Sequence, residues 1–431
     1  MIKVFAIDSR DKYIAELKRA LFYYLGLHCV TRSTVKEMAP ILELFPYAEL
    51  IVVADHYDHP NDLRKIIATR NNYLPMISYE TTEDVVVLIK KIALELEKSL
   101  DLEALKHKLH LSQPYLPISL SLVSGMTMTP SDLFIKIGKG VQANYVKRVQ
   151  KLDEIDPTVL TKLEQGSVEY LYVPDNEFDL FSTALTNQII DGMSQRQIET
   201  SHKIGKQAQG FTYIRKVTEV LDFDEQFIEV LNQSIDSVNE SLRNDRPLSH
   251  LIKELMNRKD SLSFQCYYLT NLICFHLLQK LKLDINNNLK TLISASLFCD
   301  LGQDQSELLL VNSMEEFHQM NSKLTKEKQE HILNHARMNS SWASQIPNIQ
   351  PIVSTIIKEH HGSPNGIGFE DTMAKQINNL SQVFVIANSF IKYFLNPKYQ
   401  FNKKKIIEIM QNRYTDAQYQ KIITELTSKI E

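Results

Sequence analysis

Two adjacent histidines, His360-His361, end an apolar run with helical spacing (Ile352, Val353, Ile356, Ile357) and open the loop Gly362-Ser363-Pro364-Asn365-Gly366-Ile367-Gly368-Phe369-Glu370. Imidazole is the commonest metal-binding side chain, and two at a helix end can offer two nitrogens to one centre. The Gly-x-Gly behind them permits the tight backbone path of a loop closing over such a centre. A metal site needs more ligands than two, so the helices that precede and follow this loop must supply them.

Further candidates lie at Cys299-Asp300-Leu301-Gly302, at the end of a helical run, and at His335, in the stretch that begins Leu324-Thr325-Lys326-Glu327. Together with the histidine loop they resemble the HD-GYP family of HD phosphohydrolases, whose loop reads H-H-E-x-x-D-G-x-G-Y-P. The resemblance covers about residues 260–400. It implies an α-helical HD-type bundle, hydrolysis of cyclic di-GMP and a centre of two or three metal ions. Residue by residue, it carries four metal ligands onto Asp300, His335, His360 and His361. Four other ligand positions have changed: Leu262 stands for a glutamate, Cys266 and Cys299 for histidines, and Asn388 for a bridging aspartate. The first histidine position falls at Gln265 if the register slips by one.

The losses have a physical meaning. A bridging carboxylate holds two cations close together, and neutral Asn388 is a poorer ligand for hard cations. On the substrate side, Gln303 replaces a phosphate-facing lysine. Leu395-Asn396-Pro397-Lys398-Tyr399-Gln400 replaces a segment whose arginines clamp phosphate. Cys266 and Cys299 are either replacement ligands, since thiolate binds zinc or iron well, or small buried residues filling the space of lost imidazoles. The expectation is a degenerate centre that holds one divalent ion, zinc or iron, or none. His331, one helical turn before His335, is expected at the surface.

The N-terminal segment alternates strands and helices: Ile2–Ile7, a helix near 10–25, Cys29–Thr31, a helix near 34–45, Leu50–Ala54, a helix near 60–70, and Met76–Ser78. Such alternation implies a parallel sheet. It resembles a response-regulator receiver domain, with Asp8 after the first strand and Asp55 near the end of the third. The acidic cluster is thin, because Ser9 and Arg10 follow Asp8. Strict register places Ala54, one residue before Asp55, at the phosphoacceptor position. A long helix expected at about 82–110 leaves no room for a fifth strand and its lysine, so the reading is a truncated docking domain. Residues 115–175 alternate β-branched and aromatic residues between Gly, Pro and Ser breaks. They resemble the small domain often found ahead of HD-GYP domains. From about 180 onward the apolar spacing is helical.

Bulk properties set the class. With 431 residues, 43% hydrophobic and 23% charged, the chain suits a multidomain globular protein with no membrane span. The four cysteines lack CxxC spacing, which points to reduced thiols, and with the N-terminus starting on a strand a cytoplasmic location is expected. A net charge of -4 gives no footprint for nucleic acid. Lys403-Lys404-Lys405 reads as a solvated helix start.

The fold class is therefore multidomain α/β plus mainly α. The expected layout is a receiver-like α/β domain (1–110), a small β-rich module (111–180), a helical linker (181–255) and a degenerate HD-GYP helical domain (256–431). The functional reading is a non-enzymatic bacterial signalling protein acting through protein partners, with cyclic di-GMP as a ligand to test and a homodimer as a candidate assembly. The rival reading is a residual metal-dependent cyclic di-GMP phosphodiesterase.

Overall fold

The computed structural model describes residues 2–21, 27–44, 50–55, 74–96, 115–123, 126–138, 144–194, 200–220, 225–243, 248–257, 261–303, 306–322, 324–369, 377–399 and 402–427. The helix expected near 60–70, and the part of the 82–110 helix beyond residue 96, lie outside them. Compactness divides the chain into two units: residues 1–191 with 216–222, and residues 192–215 with 223–431.

In the first unit, β1 (Ile2–Ile7), α1 (Asp11–Ala20), β2 (His28–Arg32), α2 (Val35–Leu44), β3 (Leu50–Ala54), β4 (Met76–Tyr79) and α3 (Val85–Glu95) follow in order. The strands pair in parallel as β2-β1-β3-β4, with Val4 opposite Cys29 and Leu50, and Ala54 opposite Tyr79. All five residues of β3 are buried, as expected of a parallel strand covered on both faces. Leu17 of α1 and Leu88, Ile89 and Ile92 of α3 close over the sheet.

A second sheet is antiparallel. Its strands β5 (Tyr115–Ser119), β6 (Leu133–Ile137), β7 (Asn144–Val149) and β8 (Tyr170–Pro174) run in the order β5-β8-β6-β7. Leu116, Ile118, Leu133, Ile135, Leu171 and Val173 are buried by strict alternation, while Tyr115, Phe134, Tyr145 and Tyr172 are half-buried in ring contacts with one another. The helix α4 (Pro157–Gln165) starts on the Asp156 cap.

Helices follow: α5 (Phe178–Ser194), α6 (Thr200–Val220), α7 (Glu225–Arg243), α8 (Leu248–Asn257), α9 (Leu262–Lys280), α10 (Ile285–Phe298), α11 (Met314–Asn321), α12 (Lys326–Ala343), α13 (Pro351–Glu359), α14 (Asn379–Leu395), α15 (Lys403–Arg413) and α16 (Ala417–Thr427). In the second unit α14 is buried nearly all round, from Ser381 to Tyr393, and packs on α9, α13, α15 and α16. A helix without a polar face belongs at the centre of a bundle. The starts are marked locally: Ser261, Asp284, Thr325, Asn378 and Asn402 each accept a bond from a main-chain N–H of the first turn. The Asn402 cap makes Lys403-Lys404-Lys405 the first turn of α15.

Candidate metal centre

Asp300 stands just past the end of α10. Its loop is pinned from three directions: Arg215 Nη2 donates to the Asp300 carbonyl at 3.1 Å, and Asn339 Nδ2 donates to the carbonyls of Cys299 (2.9 Å) and Leu301 (3.2 Å). Gly302 follows with φ +77°, and a Cβ there would meet His331 Nε2 at 2.8 Å. His331 is therefore half-buried against this turn, and the surface position expected for it is corrected. His331 and His335 are one helical turn apart on α12 and share one face of it.

His335, His360 and His361 are buried, and with Asp300 they form a group whose ligand atoms all lie within 4.8 Å of one another. His335 lies on α12; the pair ends α13, whose entry is set by Pro351 in the first turn. His335 Nδ1 lies 2.5 Å from the Ile332 carbonyl and His360 Nδ1 lies 2.7 Å from the Ile357 carbonyl. A carbonyl accepts only from an N–H, so this contact assigns the proton to Nδ1 and turns the Nε2 lone pairs toward the centre. Those Nε2 atoms stand 3.3 Å apart, and His361 Nε2 lies 3.1 Å from His335 Nε2. Imidazole nitrogens around a tetrahedral ion at about 2.0–2.1 Å sit about 3.3–3.4 Å from each other. Facing lone pairs at this spacing repel unless a proton or a cation lies between them.

The loop behind the pair has the turn the glycines suggest. Gly366 has φ +72°, its carbonyl accepts from Arg337 N at 3.1 Å, and a Cβ would come 3.0 Å from that same nitrogen. Phe369 meets the His361 ring edge-on, with ring centroids 4.3 Å apart. Glu359, buried just before the pair, accepts from Asn378 N (3.0 Å) and Ser381 Oγ (2.6 Å), which ties α13 to the start of α14.

Asp300 is the one carboxylate of the group, and its two oxygens have different partners. Oδ1 accepts from Lys392 Nζ at 2.9 Å and lies 3.7 Å from the Nε2 atoms of both His335 and His360. Oδ2 is 3.5 Å from Cys299 Sγ. Burial alone would raise the Asp300 carboxyl; the Lys392 ammonium and the two histidines outweigh it and hold the group well below the usual carboxylate range. Burial alone would likewise lower Lys392, and the Asp300 charge keeps it above its ordinary value. Burial pulls His335 below the imidazole range, and burial with repulsion from His360 and Lys392 pulls His361 well below it.

Cys266 and Cys299 lie beside Asp300 and outside the four-residue group. Burial pushes the Cys266 thiol up to about 12 and the Cys299 thiol well above its ordinary value. Both are S–H groups at neutral pH. With Asp300, Asn388, Thr270, Ser296 and Arg215 they line a pocket with room for about one water-sized occupant. Asn388 Nδ2 and Thr270 Oγ1 are buried there without a hydrogen-bond partner. Cys266 faces this pocket and Gln265 is not among its lining residues, while Leu262 is half-buried at the first turn of α9. Gln303 is buried with both ends of its amide unpartnered. Pro397–Tyr399 forms a short turn anchored by Tyr399 donating to Glu316, and Gln400 lies outside the described residues.

Three functional side chains have no counterpart in the sequence reading: Lys392, Arg215 and Asn339. One signal pointed to Lys392, a single charge inside Phe390-Ile391-Lys392-Tyr393-Phe394-Leu395. Arg215 and Asn339 act on main-chain carbonyls, which no residue pattern marks.

In the N-terminal sheet, Asp8 is buried at the end of β1 and its carboxylate is already shared. Arg10 donates from Nε (3.1 Å to each oxygen), Nη2 (2.6 Å) and the main-chain N (2.8 Å), and the Tyr79 hydroxyl donates as well. Asp55 is exposed and accepts from Thr81 N at 3.2 Å.

No family model and no curated protein matches this chain. Among solved structures it is similar to Bd1817, a HDG"Y"P protein from Bdellovibrio bacteriovorus, at 17% identity and a TM-score of 0.48 over 72% of this chain and 98% of that one.

Proposed function

We propose that this chain is a bacterial signalling protein whose C-terminal unit is a degenerate HD-GYP-type module, working through contact with partner proteins and not through hydrolysis. The observation that supports this reading is the shortage of anionic ligands. Asp300 is the one carboxylate in the four-residue group, Asn388 is neutral, and neither cysteine falls within that group. Two divalent ions brought close together need carboxylate charge between them, and one carboxylate already engaged by an ammonium does not provide it.

The donor set does fit one ion. His335, His360, His361 and Asp300 would hold it as an N, N, N, O group suited to zinc or iron, and when bound the ion would supply Lewis-acid polarisation. This chain's own groups set that site: the Ile332 and Ile357 carbonyls fix the imidazole tautomers, and Lys392 orients the carboxylate. The layout 1–110, 111–180, 181–255 and 256–431, a cytoplasmic location, cyclic di-GMP as a non-hydrolysed ligand and a homodimer are parts of the same proposal. No helix among the described residues is long and apolar enough to cross a membrane.

Convergence of three Nε2 atoms at zinc spacing favours the second reading, a residual phosphodiesterase. Incubation of the full chain with cyclic di-GMP and Mn²⁺, Fe²⁺ or Zn²⁺ separates the two. The expected result is no linear or mononucleotide product with any metal; product that disappears in His360→Ala establishes the second reading.

A further inference from the structure

Lys392 belongs to no motif, yet its side chain is 1% exposed and its ammonium touches Asp300. An ammonium is stable in such a place only beside an anion. Its direction of approach is informative. Lys392 follows Asn388 by one helical turn on α14, so the two stack on one face. Asn388 lines the pocket that Cys266, Cys299 and Asp300 also line. The ammonium thus enters the centre on the side where Cys266, Cys299 and Asn388 stand.

The carboxylate is placed between two sources of cation binding. Oδ1 is shared: the ammonium lies 2.9 Å from it and the Nε2 atoms of His335 and His360 lie 3.7 Å from it. A carboxylate shared between a cation and a set of metal-binding nitrogens has the connectivity of a bridging ligand in a two-metal centre. One of the two cations here is built into the chain. Its charge equals that of the carboxylate, and the centre needs no second ion for neutrality.

We propose that Lys392 is a tethered cation standing in the place of a second metal ion at Asp300, leaving the three imidazoles and Asp300 to hold a single divalent ion. This rests on the reading of the centre as degenerate and names the residue that keeps it so. The consequence is a limit on stoichiometry set by a side chain and not by the supply of metal.

The test is Zn²⁺ uptake by the metal-stripped full chain, followed by equilibrium dialysis with elemental analysis and by the thermal midpoint. Lys392→Met keeps the apolar stem and removes the charge. It is expected to take up one Zn²⁺ per chain more than the unaltered protein, and its midpoint is expected to rise further on adding Zn²⁺. Equal stoichiometry and an equal Zn²⁺-induced rise overturn the proposal. Should Lys392→Met not fold, Lys392→Gln, neutral yet polar, is put through the same comparison and is expected to take up the extra Zn²⁺; equal stoichiometry there overturns the proposal. Cyclic di-GMP turnover by the unaltered chain would remove the non-catalytic reading and leave the uptake comparison to decide Lys392 by itself.

Discussion

Asp8 and Asp300 are both carboxylates at the end of a buried element, and both are met by a basic side chain of the same protein. The partners differ in reach. Arg10 lies two residues from Asp8, is 29% exposed, and adds a stacking contact over Tyr13 at 4.2 Å. Lys392 lies 92 residues from Asp300 and is sealed. Arg10 reaches Asp8 by a short local turn that survives much rearrangement, and water screens part of its charge. Lys392 reaches Asp300 only after α14 has packed against the rest of the bundle, where a charge without its partner is expensive. Two pairs of similar chemistry therefore differ in how much structure depends on them.

The largest effect expected from this contrast is at Asp300. Asp300→Asn leaves a buried ammonium without its anion and should cost about 3–5 kcal/mol, read by urea denaturation of the C-terminal unit. A loss no greater than that of the Arg10 variant below would break the comparison.

Acid should separate the regions next. His335 and His361 have folded-state values below the imidazole range, so their contribution is fully present above the unfolded value of about 6.5 and is lost as pH falls from there through the folded values. Asp300 adds a further loss below the unfolded carboxylate value of about 3.9. In the N-terminal sheet, burial alone would raise the Asp8 carboxyl, and its bonds from Arg10 and Tyr79 outweigh this and hold it low; its contribution is present above about 3.9 and fades only below that. Circular dichroism and fluorescence of Trp342, in α12, should show the bundle loosening from about pH 6 with the parallel sheet intact to below pH 4. Coincident transitions would erase the distinction.

A smaller effect is expected at Arg10. Arg10→Ala should cost about 1 kcal/mol, because the pair is partly screened. It frees Asp8 from its main partner, so weak Mg²⁺ binding measured by calorimetry should appear where the unaltered chain shows none. Phosphorylation of Asp55 by acetyl phosphate should remain absent in the unaltered chain, and Mg²⁺-dependent labelling lost in Asp55→Asn would contradict this.

The smallest effect concerns thiols. Cys29, Cys266, Cys274 and Cys299 are buried and outside disulfides, and burial raises all four. A thiol reagent at pH 8 should modify none of them in the native protein. In rising urea Cys29, in the small parallel sheet, should react before Cys266 and Cys299, because a small core opens at lower free energy. The reverse order would place the weaker structure in the bundle.

Much of the fold was legible. The strand and helix alternation of the N-terminal region, the β-rich middle and the helical remainder all follow from periodicity. The histidine pair and the glycine turn were readable from their own neighbours in the chain, while His335 and Asp300 were set beside them only by the family resemblance. The cysteines were not resolved between ligand and filler, since a thiol and a thiolate are spelled alike and burial beside charged groups far off in the chain sets the balance between them. His331 was misplaced for a related reason: helical spacing shows which face a residue shares, while the packing of the Gly302 turn decides whether that face is covered.

The sequence by itself determined what short range can determine: helix starts at Asp284, Asn378 and Asn402, the positive-φ turn at Gly366, and the proximity of His360 to His361. These depend on atoms within one or two turns of the chain. Only the tertiary structure decided the charge balance of the centre. Which proton each imidazole keeps, whether Asp300 is free or engaged, and what Lys392 does are fixed by burial and by partners far away in sequence. Coulomb energy grows as water is excluded, so the same lysine that would be an unremarked surface charge on an exposed helix becomes, inside the bundle, the partner on which Asp300 depends.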